Sequence, residues 1–137
     1  MRLISVVLGA NSDKARSEHS RSLIRYGFRF FETRQLYSKA QKLSSARVWK
    51  GTEKNIPLGL NQDLFVTYPR GQYEQLSAQL DRPKVLQAPV VAGQNVGTIT
   101  VTLNNNNLLN VPLVALNSVE EGGFFRRMID NVLLMLE

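Results

Sequence analysis

Residues 96–116 constrain what this chain can fold into more than any other stretch. Ile99, Val101 and Leu103 alternate with Thr98, Thr100 and Thr102, and a period of two is the mark of a strand with one apolar and one polar face. The turn-forming run Asn104, Asn105, Asn106 and Asn107 follows, and then a second strand is predicted over 108–116, which makes the whole a hairpin. Shorter strand-like pieces at 47–50, 56–60, 64–68, 73–80 and 85–91 are separated by turn residues, an all-β signature. Pro57, Pro69, Pro83, Pro89 and Pro112 belong at edges, strand ends or bulges, where a missing backbone donor is tolerated. The predicted fold class is therefore mainly β, with a small antiparallel β-sandwich-like domain over 35–117.

The two ends read differently. Residues 3–8 are a β-branched apolar run closed by Gly9, which predicts a strand buried on both faces and in need of a sheet around it. Asn11 or Ser12 can cap the helix that comes next, where Leu23, Ile24, Gly27, Phe28 and Phe31 form one stripe to about Glu32 and Arg21, Arg25 and Arg29 the opposite face. At the other end, Gly122 and Gly123 precede a second stretch of helical spacing. Its apolar face is Phe124, Phe125, Met128, Ile129, Val132, Met135 and Leu136, and its polar face includes Arg126, Arg127 and Asp130.

Composition removes several chemistries. With no cysteine and the single histidine His19, there is no disulfide framework, thiolate zinc site, cysteine nucleophile or His-rich metal centre. No metal or cofactor is expected. The formal charge of +6 is concentrated early, since residues 1–50 carry eleven basic and three acidic side chains. Nucleic acid is not the expected partner, because the basic residues form no contiguous stripe with interleaved aromatics and no docking motif. No run of ~18 apolar residues predicts a bilayer-spanning helix. Residues 1–9 are positively charged, but their apolar run is too short for a signal peptide.

Several side chains have two readings. The helix over 124–137 either docks on the protein's own sheet or lies in a bilayer interface, apolar face down, with Arg126 and Arg127 at phosphate level. The Arg21, Arg25, Arg29 row is a solvated helix face or a surface for phosphates or acidic polymers. His19 is read as a structural or surface residue rather than a catalytic one. Trp49 packs in the sandwich or offers a stacking platform, and with Tyr73 it is the candidate partner-binding pair.

Three groups of residues together resemble the D-alanyl-D-alanine carboxypeptidases among the low-molecular-mass penicillin-binding proteins. The first is Arg2-Leu3-Ile4-Ser5-Val6-Val7-Leu8-Gly9 with Tyr26-Gly27-Phe28-Arg29-Phe30-Phe31-Glu32-Thr33. The second is Val48-Trp49 and Tyr68-Pro69-Arg70-Gly71. The third is Leu86-Gln87-Ala88-Pro89, Gly97-Thr98-Ile99, Pro112-Leu113-Val114 and Glu120-Glu121-Gly122-Gly123-Phe124-Phe125.

The resemblance implies a map. Residues 1–34 are similar to the last strand and helix of the penicillin-binding catalytic domain, 35–117 to the family's C-terminal β-rich domain, and 118–137 to the start of its amphipathic membrane anchor. It also implies a place at the periplasmic face of the bacterial inner membrane, in peptidoglycan maturation. The family's chemistry uses Ser-x-x-Lys, Ser-x-Asn and Lys-Thr-Gly, and none of the three occurs in this chain. No catalytic residue can therefore be assigned, and the chain as it stands is read as non-catalytic. The expected role is to position an enzyme at the membrane through Phe124, Phe125, Arg126, Arg127, Met128, Ile129, Val132 and Met135. The alternative is a β-module binding envelope proteins or glycan such as peptidoglycan. Because residues 1–33 present apolar surface meant for a sheet, a homo-oligomer through that segment is also expected.

Overall fold

The computed structural model describes residues 1–123. The one α-helix among these described residues, α1 (Asp13–Phe30), begins where Ser12 accepts a hydrogen bond from the Ala15 amide at 3.1 Å, an ordinary N-cap. No helix residue is buried. The predicted stripe is therefore not a core face: Leu23 is 55% and Phe28 48% exposed. Residues 1–9 join no ladder among the described residues. Leu3, Ser5 and Val7 are half-buried and alternate with Ile4, Val6 and Leu8, which are 75–88% exposed. The predicted two-faced strand has one covered face, supplied by α1. There Leu3 Cδ1 fills the space where a Cβ on Gly27 would stand, and the Ser5 and Ser20 hydroxyls meet.

The chain turns from helix to strand without a spacer. β1 (Phe31–Tyr37) starts at the helix C-cap, at a residue that the spacing of the apolar stripe assigns to the helix. Its Phe31, Thr33 and Tyr37 favour extended backbone. Seven further strands complete the domain: β2 (Ser44–Trp49), β3 (Asn55–Gly59), β4 (Leu64–Pro69), β5 (Leu76–Asp81), β6 (Val85–Gln87), β7 (Asn95–Leu103) and β8 (Asn106–Ala115). The predicted strand at 73–80 is divided between a 3-10 turn, Tyr73–Gln75, and β5.

The strands form a six-stranded sheet in the order β5-β7-β8-β3-β2-β6 and a two-stranded sheet of β1 with β4. The domain is thus not purely antiparallel, because β6 runs parallel to β2, with Arg47 opposite Val85 and Trp49 opposite Gln87. The β7–β8 hairpin is tighter than a four-residue turn. Only Asn104 (φ 50°) and Asn105 (φ 65°) turn the chain, and two successive left-handed residues are what a two-residue hairpin turn requires. Asn106 and Asn107 belong to β8 and pair with Leu103 and Thr102.

One core joins the two sheets. Ile99, Val101 and Leu103 of β7 meet Ile56 and Leu58 of β3, Leu113 and Ala115 of β8, and Leu64, Val66 and Tyr68 of β4. The alternation in β4 explains its role: Leu64, Val66 and Tyr68 point inward, while Phe65 and Thr67 face solvent.

Candidate functional site

The described chain holds three places where polar or aromatic side chains are organised beyond the needs of a core. The first is the seam between helix and β-domain. The last carbonyls of α1 have no helical partner, and Arg70 takes them. Its Nη2 donates to Phe28 O at 3.0 Å and Phe31 O at 3.5 Å, its Nε to Arg29 O at 3.3 Å, and its backbone N–H to Phe30 O at 2.8 Å. A cation at a helix C-terminus also suits the macrodipole. Tyr26 packs on Phe30 and Phe31, with centroids 4.7 and 6.2 Å apart. Sequence reasoning gives Arg70 no role of its own, because a clamp between residues forty apart has no local signal.

The second place is beside β1. Arg34 lies over the Tyr73 ring at 4.8 Å and reaches Glu32 at 3.9 Å, and Tyr73 in turn packs on Tyr68 at 6.0 Å. Tyr73 is 39% exposed, whereas Tyr68 is 1% exposed. Burial, and after it the neighbouring Glu32 carboxylate, pushes the Tyr68 phenol above its ordinary value, with Arg34 opposing. Glu32 is close enough to act on the phenol, yet the hydroxyl completes no hydrogen bond of good geometry. An adjoining groove of about 270 Å³ is lined by Leu36 and Tyr37 of β1, by Tyr73 and Glu74, and by Leu76, Ser77 and Ala78 of β5.

The third is the seat of the carboxy-terminal tail. Val90 and Val119 exchange backbone hydrogen bonds at 2.9 and 2.8 Å, Thr52 N donates to Glu120 O at 2.9 Å, and Gly122 N to Lys50 O at 2.7 Å. Val119 is buried, and its Cγ1 lies 2.7 Å from where a Cβ on Gly51 would stand. Gly51 is thus the residue that lets the tail lie flat. The chain is held down to residue 122.

The remaining candidates sort by position. Trp49 is 3% exposed, with the Arg47 guanidinium 3.9 Å from its ring centroid, so it is not solvent-facing. Its indole N–H has no partner. Trp49 and Tyr73 are not brought together, Trp49 belonging to β2 and Tyr73 to the groove beside β1 and β5. Of the arginine row, Arg21 and Arg25 line a groove with Arg16 beside residues 5 and 7, and Arg29 packs on Phe30 at 5.5 Å. His19 is exposed. Phe124, Phe125, Arg126, Arg127, Met128, Ile129, Val132 and Met135 lie outside the described residues. Among the described residues no three His, Asp or Glu side chains converge as metal ligands, and no helix there is long and apolar enough to cross a membrane.

The described residues form a mixed-sheet β-domain clamped to a helical lead-in, with residues 119–122 seated against the loop after β2 and Val90. Residues 31–121 match the family described as Penicillin-binding protein 5, C-terminal domain, and the chain belongs to that family. It is 44% identical over 136 residues to D-alanyl-D-alanine carboxypeptidase DacC of Escherichia coli, and 38% identical to DacA of the same organism. Each match takes in 98% of this chain and 34% of the relative, so the chain spans about a third of the length of these relatives. The solved structure of penicillin binding protein 5 from Haemophilus influenzae superposes with a TM-score of 0.75 at 31% identity, over 80% of this chain and 32% of that one.

Proposed function

We propose that this chain is the non-catalytic part of a serine-type D-Ala-D-Ala carboxypeptidase of peptidoglycan maturation, and that it positions the enzyme at the periplasmic face of the bacterial inner membrane. The observation that carries the reading is the seated tail. Residues 119–122 are hydrogen-bonded to the loop after β2 and to Val90, so the chain beyond Gly123 leaves from a fixed point on the β-domain. The residues beyond that point are the amphipathic run with Phe124, Phe125, Met128, Ile129, Val132 and Met135 on one side and Arg126 and Arg127 beside it, the composition of an interfacial helix. Confining an enzyme to a surface layer raises its effective concentration at a substrate in that layer.

Co-sedimentation with anionic vesicles tests this. The full chain is expected to pellet, and Phe124→Ser/Phe125→Ser to remain in solution. Arg126→Glu/Arg127→Glu is expected to bind only weakly, in a salt-dependent manner. Equal behaviour of all three sinks the anchor reading. The second reading, a module binding envelope proteins or glycan, is favoured by exposed Tyr73 in its groove, and retention on peptidoglycan abolished by Tyr73→Ala would establish it.

Residues 1–33 are proposed as a further contact surface. Ile4, Val6 and Leu8 in water forgo roughly 1.5 to 3 kcal/mol each, and in the isolated chain a second copy recovers part of this. A monodisperse monomer by light scattering at tens of micromolar overturns that contact.

A further inference from the structure

The tail leaves the β-domain beside a row of cations. Successive amides of β2 point to opposite sides of the strand: Arg47 N donates to Lys84 O at 3.3 Å, and Val48 N to Lys54 O at 2.8 Å. Lys84 immediately precedes β6 and Lys54 immediately precedes β3, the two strands that flank β2. Lys84, Arg47 and Lys54 therefore form a line across three strands, with backbones about 4.8 Å apart from one to the next. All three residues are exposed, and none is in an ion pair among the described residues. Arg47 is also held in place, its guanidinium 3.9 Å from the Trp49 ring centroid. Stacking takes one face of the guanidinium and leaves its N–H edge for oxygen acceptors.

The row is continuous with the point where the tail departs. Lys50 O, three residues on from Arg47, accepts the Gly122 amide at 2.7 Å, and three residues of extended chain span about 10 Å. Arg126 and Arg127 follow Gly122 by four and five residues. The acidic residues at this end, Glu53, Glu120 and Glu121, belong to the 50–54 loop and the tail rather than to the row. They offset part of the positive charge, so the row orients more than it anchors. We infer that the β-domain itself meets the membrane: Lys84, Arg47 and Lys54 take the phosphate oxygens of anionic phospholipid headgroups, with the 50–54 loop turned toward the bilayer. The inference rests on the anchor reading and adds an orientation to it. A helix alone would tether the domain at one point, whereas a helix and a row of cations beside it fix the tilt at which the domain stands.

Trp49 is the one tryptophan of the chain and lies against Arg47, so its fluorescence reports how near this face comes to lipid. The full chain is mixed with vesicles of phosphatidylglycerol and phosphatidylethanolamine that carry a nitroxide on some headgroups, which quenches an indole through space at short range without the ring being exposed. Trp49 emission is expected to fall as the chain binds, and the fall to shrink at high salt. Lys54→Gln/Lys84→Gln is expected to lose most of the quenching and to bind roughly ten- to thirtyfold more weakly, each cation at an anionic surface contributing about a fivefold gain. The control is Lys39→Gln/Lys42→Gln, the same change of charge in the connection before β2, where Gln41 O adjoins Gly59 at the opposite end of β2 and β3. It is expected to keep the quenching and nearly all the affinity. Binding without quenching, or equal loss of quenching in the two variants, overturns the inference and leaves the anchor reading standing. A chain that does not bind at all overturns the anchor reading and this inference with it. Circular dichroism melts matching the wild type confirm that both variants are folded.

Discussion

Residues 1–30 and residues 31–122 differ in what holds them. Every buried hydrophobic side chain among the described residues lies between Ala46 and Val119, and α1 buries none. The β-domain has a closed core, a tail seated on it and one open edge. The amino-terminal part has a capped helix, a half-covered apolar segment and a single arginine clamp to the β-domain. An 18-residue helix is marginal in water on its own propensity, so the stability of α1 must be local and small, while that of the β-domain is cooperative. One region closes its own core; the other leaves Ile4, Val6, Leu8 and Leu23 in water.

The sharpest way to break this comparison is to make the same chemical change in both regions. Ile99 is 0% exposed and Ile4 is 80% exposed. Ile99→Ala is expected to cost about 2–5 kcal/mol, the transfer and cavity cost of a buried aliphatic side chain, and Ile4→Ala within about 0.5 kcal/mol, the range for surface substitutions. Urea unfolding of the two variants measures the difference. Equal midpoints would mean that residues 1–9 are buried in solution, and that the two regions are not independent.

How much of the fold is legible in the sequence follows another divide, between local and long-range contacts. The β7–β8 hairpin, the core alternation of β4 and the Ser12 cap depend on neighbours within a few residues, and the periodicity displays them. The relation of β2 to β6 does not show. A parallel pair joins residues about forty apart, Arg47 with Val85, and no local pattern distinguishes it from an antiparallel one. β1 is hidden because Phe28 and Phe31 keep helical spacing across the boundary, although the helix ends at Phe30. The Arg70 clamp and the seat of Val119 against Gly51 are likewise tertiary. Trp49 is open to two readings from sequence, and burial decides that its ring is covered.

Arg70 tests the seam. Arg70→Ala removes three side-chain hydrogen bonds to carbonyls at the end of α1, worth about 1–2 kcal/mol after allowing for their exposure. The expected readout is faster amide hydrogen exchange in the last turn of α1 with the urea midpoint of the β-domain unchanged. A lowered midpoint would show that the helix and the sheets unfold as one unit. Ser12→Ala is a smaller version at the other end of the helix. It should cost about 0.5–1 kcal/mol of helix stability, seen as loss of helical dichroism without a shift of the β-domain transition.

The smallest effect at neutral pH, and the most specific, belongs to Tyr68. Its hydroxyl is buried without a hydrogen-bond partner, so Tyr68→Phe removes a desolvated polar group while keeping the ring, and stability at pH 7 is expected to be unchanged or slightly raised. The difference appears in alkali. Burial, with Glu32 second, raises the phenol above its ordinary value of 10.0, so the folded state holds this proton more tightly than the unfolded one. Below about pH 10 both states are protonated and the group contributes no slope. As pH rises beyond the ordinary value the unfolded chain ionises first, and stability falls until the folded phenol also ionises. Tyr68→Phe should lack that part of the alkaline decline, measured as the difference between wild-type and variant urea midpoints from pH 8 upward. Parallel profiles would mean that Tyr68 meets solvent, and that the layer of β1 and β4 lifts from the larger sheet. The β-domain would then share the openness of the amino-terminal region.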